Sequence, residues 1–278
     1  MDLSNAPRGT RIAAARIAGA LRKIKGGGRV ARALLFGAPG GATLAIASSP
    51  VLIPFSVPRR LPPDLLIPKR DPAAMLTAPE ALERLREGNR RFVANVHAAD
   101  GFSSHARPAD LANGQHPFAI VLGCSDSRVP AEIVFDQGLG DLFVIRVAGN
   151  IVAPSQVGSV EFAATRFSTR LVVVLGHSQC GAILATLEEL RRPREDQSRN
   201  LRSIVDRVRP SVESLLATEL RHDFGALVRE GVRANIRTSV DHLRNGSQIL
   251  EQLIQKEGLQ VVGAEYSLES GVVEFLEG

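Results

Sequence analysis

Two short motifs constrain the fold of this chain more than any other feature of its sequence. Cys124-Ser-Asp126-Ser-Arg128 and His177-Ser-Gln-Cys180 contain both cysteines of the 278 residues. Zinc favours thiolate and imidazole ligands in a tetrahedral shell, and catalytic zinc sites keep three protein ligands and one open position. The chain therefore has to bring Cys124, His177 and Cys180 together if the three hold one zinc ion.

The first motif follows residues 119–124, a short apolar run that predicts a buried strand. Alternate residues of an extended chain project to the same side, so Cys124, Asp126 and Arg128 converge if the extension continues past the strand. The alternative is that Asp126 and Arg128 form an ordinary salt bridge at the surface.

The second motif follows another apolar run, 171–175, and precedes residues 181–190, whose apolar spacing predicts a helix. His177 and Cys180 are separated by three positions at this strand-to-helix corner. A first helical turn there would direct both side chains to one metal ion. Two cysteines in a chain of this length are also compatible with buried apolar residues or with a disulfide.

The paired motifs C-x-D-x-R and H-x-x-C resemble those of the β-class carbonic anhydrases. The resemblance extends from about Thr77 to the C-terminus and includes residues 129–150, which are similar to the family's connection between the motifs. It implies one Zn2+ per subunit with three protein ligands, namely Cys124, His177 and Cys180. It also implies that Asp126 and Arg128 form a catalytic dyad, and that Asp126 becomes a fourth metal ligand in a closed, inactive state.

Three further residues match substrate-binding positions of the family. Gln115 stands nine residues before Cys124, where the family has an active-site glutamine, although its polar surroundings also suit a solvated turn. Phe143 and Phe162 fall where the family lines its CO2 pocket, and core packing is the alternative for both. We therefore expect Gln115, Phe143 and Phe162 to contact the substrate.

The resemblance implies reversible hydration of CO2 to bicarbonate and a proton, by attack of a zinc-bound hydroxide, in a homodimer or homotetramer. Two thiolates cancel the charge of Zn2+, so this metal should acidify its water less than an all-histidine site, and activity should rise toward alkaline pH. Ionised Asp126 only accepts hydrogen bonds and can orient the nucleophile, while Arg128 holds its carboxylate. The alternatives are a carbonyl sulfide or carbon disulfide hydrolase and a non-catalytic protein that binds zinc or bicarbonate.

The apolar runs and helical periods predict an α/β domain with a mainly parallel central sheet flanked by helices and the zinc site at the carboxyl ends of the strands. The predicted strands are 119–124, 142–147 and 171–176, followed by a hairpin of 260–265 and 271–275. A capping box, Thr77-x-x-Glu80, predicts the start of a helix that continues to Val96. Four of its apolar residues should face inward: Leu82, Leu85, Phe92 and Val93. Residues 199–256 are predicted to be helical.

Residues 1–74 are predicted to be an extension with a Pro-rich linker, before a catalytic domain at 75–278. Residues 1–60 carry a net charge of +9 and the whole chain +5, which leaves −4 for the remainder and gives no reason to expect nucleic-acid binding there. Gly and Pro interrupt the apolar part of the extension, so it predicts no stable membrane span. We expect a cytoplasmic protein; the alternatives are export to the periplasm, if residues 1–47 act as a signal, and translation from Met75.

Overall fold

A computed structural model of the chain describes residues 76–96, 111–112, 114–192 and 198–276. The predicted extension and linker, residues 1–74, therefore lie outside the described residues, as do the possible signal segment and the possible start at Met75. Within the described part, strands alternate with helices, which is the pattern that the sequence predicts.

Five strands form one sheet in the order β2-β1-β3-β4-β5. Their bounds are Ala119–Gly123 (β1), Leu142–Arg146 (β2), Leu171–His177 (β3), Gln260–Tyr266 (β4) and Val273–Leu276 (β5). The first four are parallel, and β5 pairs antiparallel with β4, as the predicted hairpin requires. The predicted α/β fold with a mainly parallel sheet is thus confirmed.

Helices cover both faces of this sheet. The α-helices in the described ranges are Ala78–Val93 (α1), Ala131–Val134 (α2), Pro154–Arg166 (α3), Gly181–Arg191 (α4), Arg199–Val212 (α5), Phe224–Asn245 (α6) and Gln248–Glu257 (α7). None of these helices has the length and apolar character needed to cross a membrane. The predicted helical region 199–256 is real but interrupted, because two short 3-10 turns separate α5 from α6.

Every residue of β1 and β3 is buried, as expected for parallel strands with helices on both sides. Ile120 and Val172 belong to a core shared with α3 to α7, whereas Val121 and Val173 belong to a second core shared with α1 and α2. The two-residue alternation of the strands thus fills two separate layers. This double burial leaves the ends of the strands as the places where polar side chains can converge.

Helix α1 begins as predicted but ends early. The Thr77 side chain accepts a hydrogen bond from the Glu80 N–H, and the Glu80 carboxylate accepts one from the Thr77 N–H. Leu85 is buried and Phe92 packs against Tyr266, whereas the expectation for Val93 is wrong, because Val93 is 45% exposed. The helix stops at Val93 rather than at position 96, and the left-handed conformation of the nearby residue 95 ends its last turn.

Two glycines in helices should respond in opposite ways to substitution by alanine. A Cβ at Gly88 in α1 would lie 1.8 Å from the Phe135 carbonyl oxygen, whereas a Cβ at Gly158 in α3 would meet no atom within 4 Å. Because alanine favours the helix, Gly158→Ala should stabilise the fold by about 0.5–1 kcal/mol. Gly88→Ala should destabilise it by about 1–3 kcal/mol through overpacking. Urea unfolding of both variants measures the difference, and stabilisation by Gly88→Ala would contradict the close contact of α1 with α2.

Candidate metal centre

The pairing of β1 with β3 brings the two motifs to one edge of the sheet. Gly123 pairs with Leu175 in parallel register, so the residues that follow each strand emerge side by side. Cys124 comes directly after β1, and His177 is the last residue of β3. As predicted, the motifs meet at the carboxyl ends of the strands, where open α/β sheets bind ligands.

Cys124, His177 and Cys180 form a compact and buried group. Their ligand atoms, two Sγ atoms and one imidazole nitrogen, all lie within 4.8 Å of one another. The three residues are at most 5% exposed, and neither cysteine forms a disulfide. Thiolate and imidazole donors at this separation match the ligand preferences of Zn2+, and three of them leave a fourth position for water or substrate.

The hydrogen bonding of His177 supports the same assignment. Nδ1 lies 2.8 Å from the Ser178 carbonyl oxygen, which can only accept, so Nδ1 carries the hydrogen. Among the described side chains, His177 Nε2 is one of two buried polar atoms without a hydrogen-bond partner. Buried polar groups in native proteins are rarely left unpaired. A metal ion bound to Nε2 would satisfy it, and a backbone carbonyl that accepts from the other ring nitrogen is typical of zinc-binding histidines.

The corner between His177 and Cys180 differs from the expected helical turn. Gln179 has a left-handed backbone, with φ of 55°, and Cys180 is the extended N-cap residue of α4. The two ligands therefore converge because the chain reverses at Gln179 and not because a helix places them on one face. The N-terminus of α4 also directs its partial positive charge toward the Cys180 sulfur, which favours the thiolate.

An acidic residue that sequence reasoning missed supports this corner. Glu269, in the turn between β4 and β5, accepts hydrogen bonds from Ser178 Oγ at 2.8 Å and from Gln179 Nε2 at 2.5 Å. The Ser178 hydroxyl oxygen in turn accepts one from the Leu268 N–H at 3.0 Å. These bonds hold the two residues between the metal ligands against the hairpin. No spacing rule connects positions 90 residues apart, so only the pairing of β3 with β4 reveals the contact.

Asp126 and Arg128 form a bidentate pair beside the cysteines. Arg128 Nε donates to Oδ1 at 2.9 Å, Nη2 donates to Oδ2 at 2.8 Å, and the Arg128 backbone N–H also donates to Oδ1 at 3.0 Å. The strand does not continue to these residues, because it ends at Gly123 and a turn follows, so extension is not what makes them converge. The hydrogen bonds from Arg128 hold the pKa of the Asp126 carboxyl well below its usual range.

The two cysteine sulfurs divide their protons unequally. A hydrogen bond from the Cys180 thiol is the main reason why the pKa of Cys124 is lowered, and the same contact with Cys124 raises the pKa of Cys180. Burial lowers the pKa of His177, but its interactions with the Cys124 sulfur and with the Ser178 carbonyl outweigh burial and raise the pKa overall. Of the two thiols, Cys124 is therefore the one that the shared hydrogen bond favours as thiolate.

Backbone and arginine contacts complete the surroundings of Cys124. The Gly149 N–H donates to the Cys124 sulfur at 3.3 Å. Arg146, at the end of β2, donates through Nε to the Cys124 carbonyl oxygen at 3.0 Å and through Nη2 to the Asp126 carbonyl oxygen at 2.5 Å. Both contacts were missed in the sequence. A positive-φ turn could have been expected at Gly149-Asn150, but its contact with a sulfur 25 residues earlier could not.

The predicted substrate-binding residues do not join this cluster within the described part of one subunit. Phe143 and Phe162 contact each other and Phe167, with ring centroids 5.7–6.2 Å apart, and Phe162 is 52% exposed. Phe143 pairs with a residue four positions before Cys124, a distance of about 13 Å along a strand. Gln115 is half-buried in the segment that leads into β1. Substrate contact by these three residues stays a prediction.

Comparisons with known proteins agree with this site. A family model described as carbonic anhydrase matches residues 119–273. The carbonic anhydrase of Mycolicibacterium smegmatis is 41% identical over 196 residues, covering 70% of this chain and 91% of the relative. Carbonic anhydrase 2 of Mycobacterium tuberculosis is 41% identical over 191 residues, covering 69% and 89%.

Solved structures give the same result. The β-carbonic anhydrase CafA of Aspergillus fumigatus aligns with a TM-score of 0.55 and 29% identity, covering 61% of this chain and 79% of that one. One of two tetrameric β-carbonic anhydrases of Sordaria macrospora aligns with a TM-score of 0.55 and 27% identity, covering 61% and 85%. The chain belongs to the β-class carbonic anhydrase family, and its Cys-His-Cys group has the composition and spacing of a zinc site.

Zinc affinity should rise with pH through the neutral range. Zinc binds cysteine as thiolate and histidine as neutral imidazole, so binding has to displace the Cys180 proton and any proton on His177. Since the pKa values of both groups are raised, acid favours the metal-free centre. Chelator competition from pH 6 to 8 measures the trend, with Cys180→Ala as the variant that should lose stoichiometric zinc. Zinc affinity that is independent of pH, or full zinc content in Cys180→Ala, would contradict this ligand set.

Proposed function

We propose that the chain catalyses the reversible hydration of CO2 to bicarbonate and a proton, with Cys124, His177 and Cys180 holding one Zn2+ per subunit. The observation that carries the proposal is the buried Cys-His-Cys group with an ionised carboxylate at its edge. A bound Zn2+ would supply Lewis acidity, which lowers the pKa of water and provides a nucleophile near neutral pH. A purely structural zinc site would need neither Asp126 nor Arg128.

Asp126 is the residue that we propose to orient the nucleophile. Its Oδ2 atom lies 3.9 Å from His177 Nε2 and accepts one hydrogen bond from Arg128, which leaves it further acceptor capacity. An ionised carboxylate cannot donate, so Asp126 would accept the hydrogen of the attacking water or hydroxide. A lone pair of the nucleophile would then be free to point at the carbon of CO2.

Arg128 would keep Asp126 both ionised and correctly placed. Its two guanidinium contacts, together with its own backbone N–H, fix both carboxylate oxygens in one plane. The guanidinium is half-exposed, so the pair can also open toward solvent. An opened pair would free Asp126, whose Oδ2 atom lies 3.9 Å from His177 Nε2, to become the fourth ligand of a closed state.

Asp126→Asn should retain zinc but lose CO2 hydration by about a hundredfold or more, because an amide nitrogen facing the nucleophile donates where the carboxylate accepts. Stopped-flow hydration with a pH indicator, from about pH 6.5 to 9, measures the loss. The parent's activity should rise through this range. The matched control is Asp206→Asn, since Asp206 is an exposed carboxylate of α5 with only a 4.0 Å contact to Arg209.

Full hydration activity in zinc-loaded Asp126→Asn would remove Asp126 from the mechanism. Equal losses in both aspartate variants would show that the effect is not specific to the centre. A parent protein that binds zinc but hydrates no CO2 at any pH in the range would contradict the proposed reaction. The same assay with carbonyl sulfide would then test hydrolysis of that substrate.

A homodimer or homotetramer that acts in the cytoplasm is part of the proposal. The tetrameric β-carbonic anhydrases of Sordaria macrospora support assembly, and the basic segment of 1–60 is longer than that of an ordinary export signal. Sedimentation equilibrium of the full chain should give two or four times the subunit mass of 29.8 kDa. A monomer that hydrates CO2 at full rate would contradict the assembly.

A further inference from the structure

The turn Ala148–Asn150 supplies the backbone N–H that contacts the Cys124 sulfur. Gly149 and Asn150 both have left-handed backbones, with φ of 71° and 42°. The Gly149 N–H donates to Cys124 Sγ at 3.3 Å, in a region where the cysteine is only 5% exposed. The direction of this one N–H therefore depends on a conformation that L-residues rarely adopt.

Glycine is favoured at position 149, and it is also the residue least able to hold its own conformation. A Cβ there would lie 3.0 Å from the Ala182 Cβ of α4, and the φ of 71° would strain a side chain as well. Without a side chain, glycine has access to more backbone conformations than any other residue. The orientation of the Gly149 N–H must therefore be fixed by groups outside the turn.

Helix α6 provides those groups. Asn235 Nδ2 donates to the Gly149 carbonyl oxygen at 2.8 Å, and Ser239 Oγ donates to the Asn150 carbonyl oxygen at 3.1 Å. The two side chains are four residues apart on one face of the helix, and they are 2% and 4% exposed. Two successive carbonyls of the left-handed turn thus accept hydrogen bonds from two side chains that lie one helical turn apart on a buried face of α6.

Packing holds the other end of the Asn235 amide. Its Oδ1 atom lies 3.4 Å from the Ser211 hydroxyl of α5, whose one hydrogen is donated to the Val208 carbonyl oxygen at 2.6 Å. The chain of hydrogen bonds to the metal centre therefore extends from Asn235 through Gly149 to Cys124. Every side chain in it is buried, where hydrogen bonds are screened little by solvent.

We propose that Asn235 is a positioning residue of the metal centre, which holds the Gly149 N–H on the Cys124 sulfur through the Gly149 carbonyl. The inference rests on the proposed function only in taking Cys124 as a zinc ligand. A hydrogen bond to a coordinating sulfur reduces the electron density that the sulfur donates, so Asn235 tunes the metal as well as placing its ligand. Without the Asn235 amide, the Gly149 backbone is no longer held in place, and its N–H loses the contact with the Cys124 sulfur.

The test is Asn235→Leu in the full chain, which keeps the number of side-chain heavy atoms and the branch point but removes the donor. The zinc dissociation constant should increase about ten- to a hundredfold in chelator competition. In the Co2+-substituted protein, the thiolate-to-cobalt charge-transfer band should move to lower energy, because the sulfur has lost a hydrogen-bond donor. This spectroscopic readout is independent of CO2 hydration.

The matched control is Thr169→Val, at the opposite edge of the sheet. Thr169 is fully buried and also donates one hydrogen bond to a backbone carbonyl, that of Pro117 at 2.7 Å. The Thr169→Val substitution should lower the melting temperature but leave the cobalt band and the zinc affinity unchanged. If Asn235→Leu does not fold, Asn235→Ala replaces it, since a smaller side chain tolerates the site without overpacking.

A folded Asn235 variant with the parent's cobalt band and zinc affinity would overturn the proposal. Equal shifts in the Thr169 control would also overturn it, because the effect would then reflect lost stability alone. Failure of the proposed function is distinguishable from both outcomes. In that case the parent itself would show no thiolate-to-cobalt band, or it would bind zinc normally and hydrate no CO2.

Discussion

Parallel pairing of β1 with β3 is the constraint on which the metal centre depends. Cys124 and His177 are far apart in the chain, and they meet because parallel strands end at the same edge of the sheet. A slip of one residue would turn every side chain of a strand to the opposite face. Both strands are completely buried, so any such slip would disrupt two apolar layers at once. The packing of the core therefore fixes the geometry of the ligands.

Strained backbone surrounds the ligands, and each strained residue is held from another part of the fold. Gln179 and Asn150 are non-glycine residues with left-handed conformations; asparagine tolerates this region, whereas at Gln179 it costs about 1–3 kcal/mol. Glu269 of the β4–β5 turn binds the Gln179 side chain, and Ser239 of α6 binds the Asn150 carbonyl. Because these contacts come from distant elements, the backbone around the ligands depends on the tertiary packing of the whole domain.

The sequence predicts the parts of this site that depend on local patterns. Apolar runs identify the strands, the capping box identifies the start of α1, and two short motifs identify the ligands. What it does not predict is set by packing between distant segments. Glu269 has no spacing relation to the ligands, and Val93 satisfies the helical period yet lies outside the core. The spacing of apolar residues identifies the face of a helix that can be buried, whereas the residues that are buried depend on which neighbouring elements pack against that face.

Charge explains how the Asp126 carboxylate can lie beside two cysteine sulfurs. The two sulfurs and Asp126 bring three potential negative charges together. Each is stabilised by a positive or partly positive group: Arg128 at the carboxylate, the Gly149 N–H at Cys124 and the N-terminus of α4 at Cys180. A metal ion and Arg128 would compete for the same Asp126 oxygens. Since bidentate guanidinium contacts are strong and directional, the pair would hold Asp126 as an acceptor and leave the fourth position to the reacting water. The open state of the site would then be a property of Arg128 rather than of the ligands.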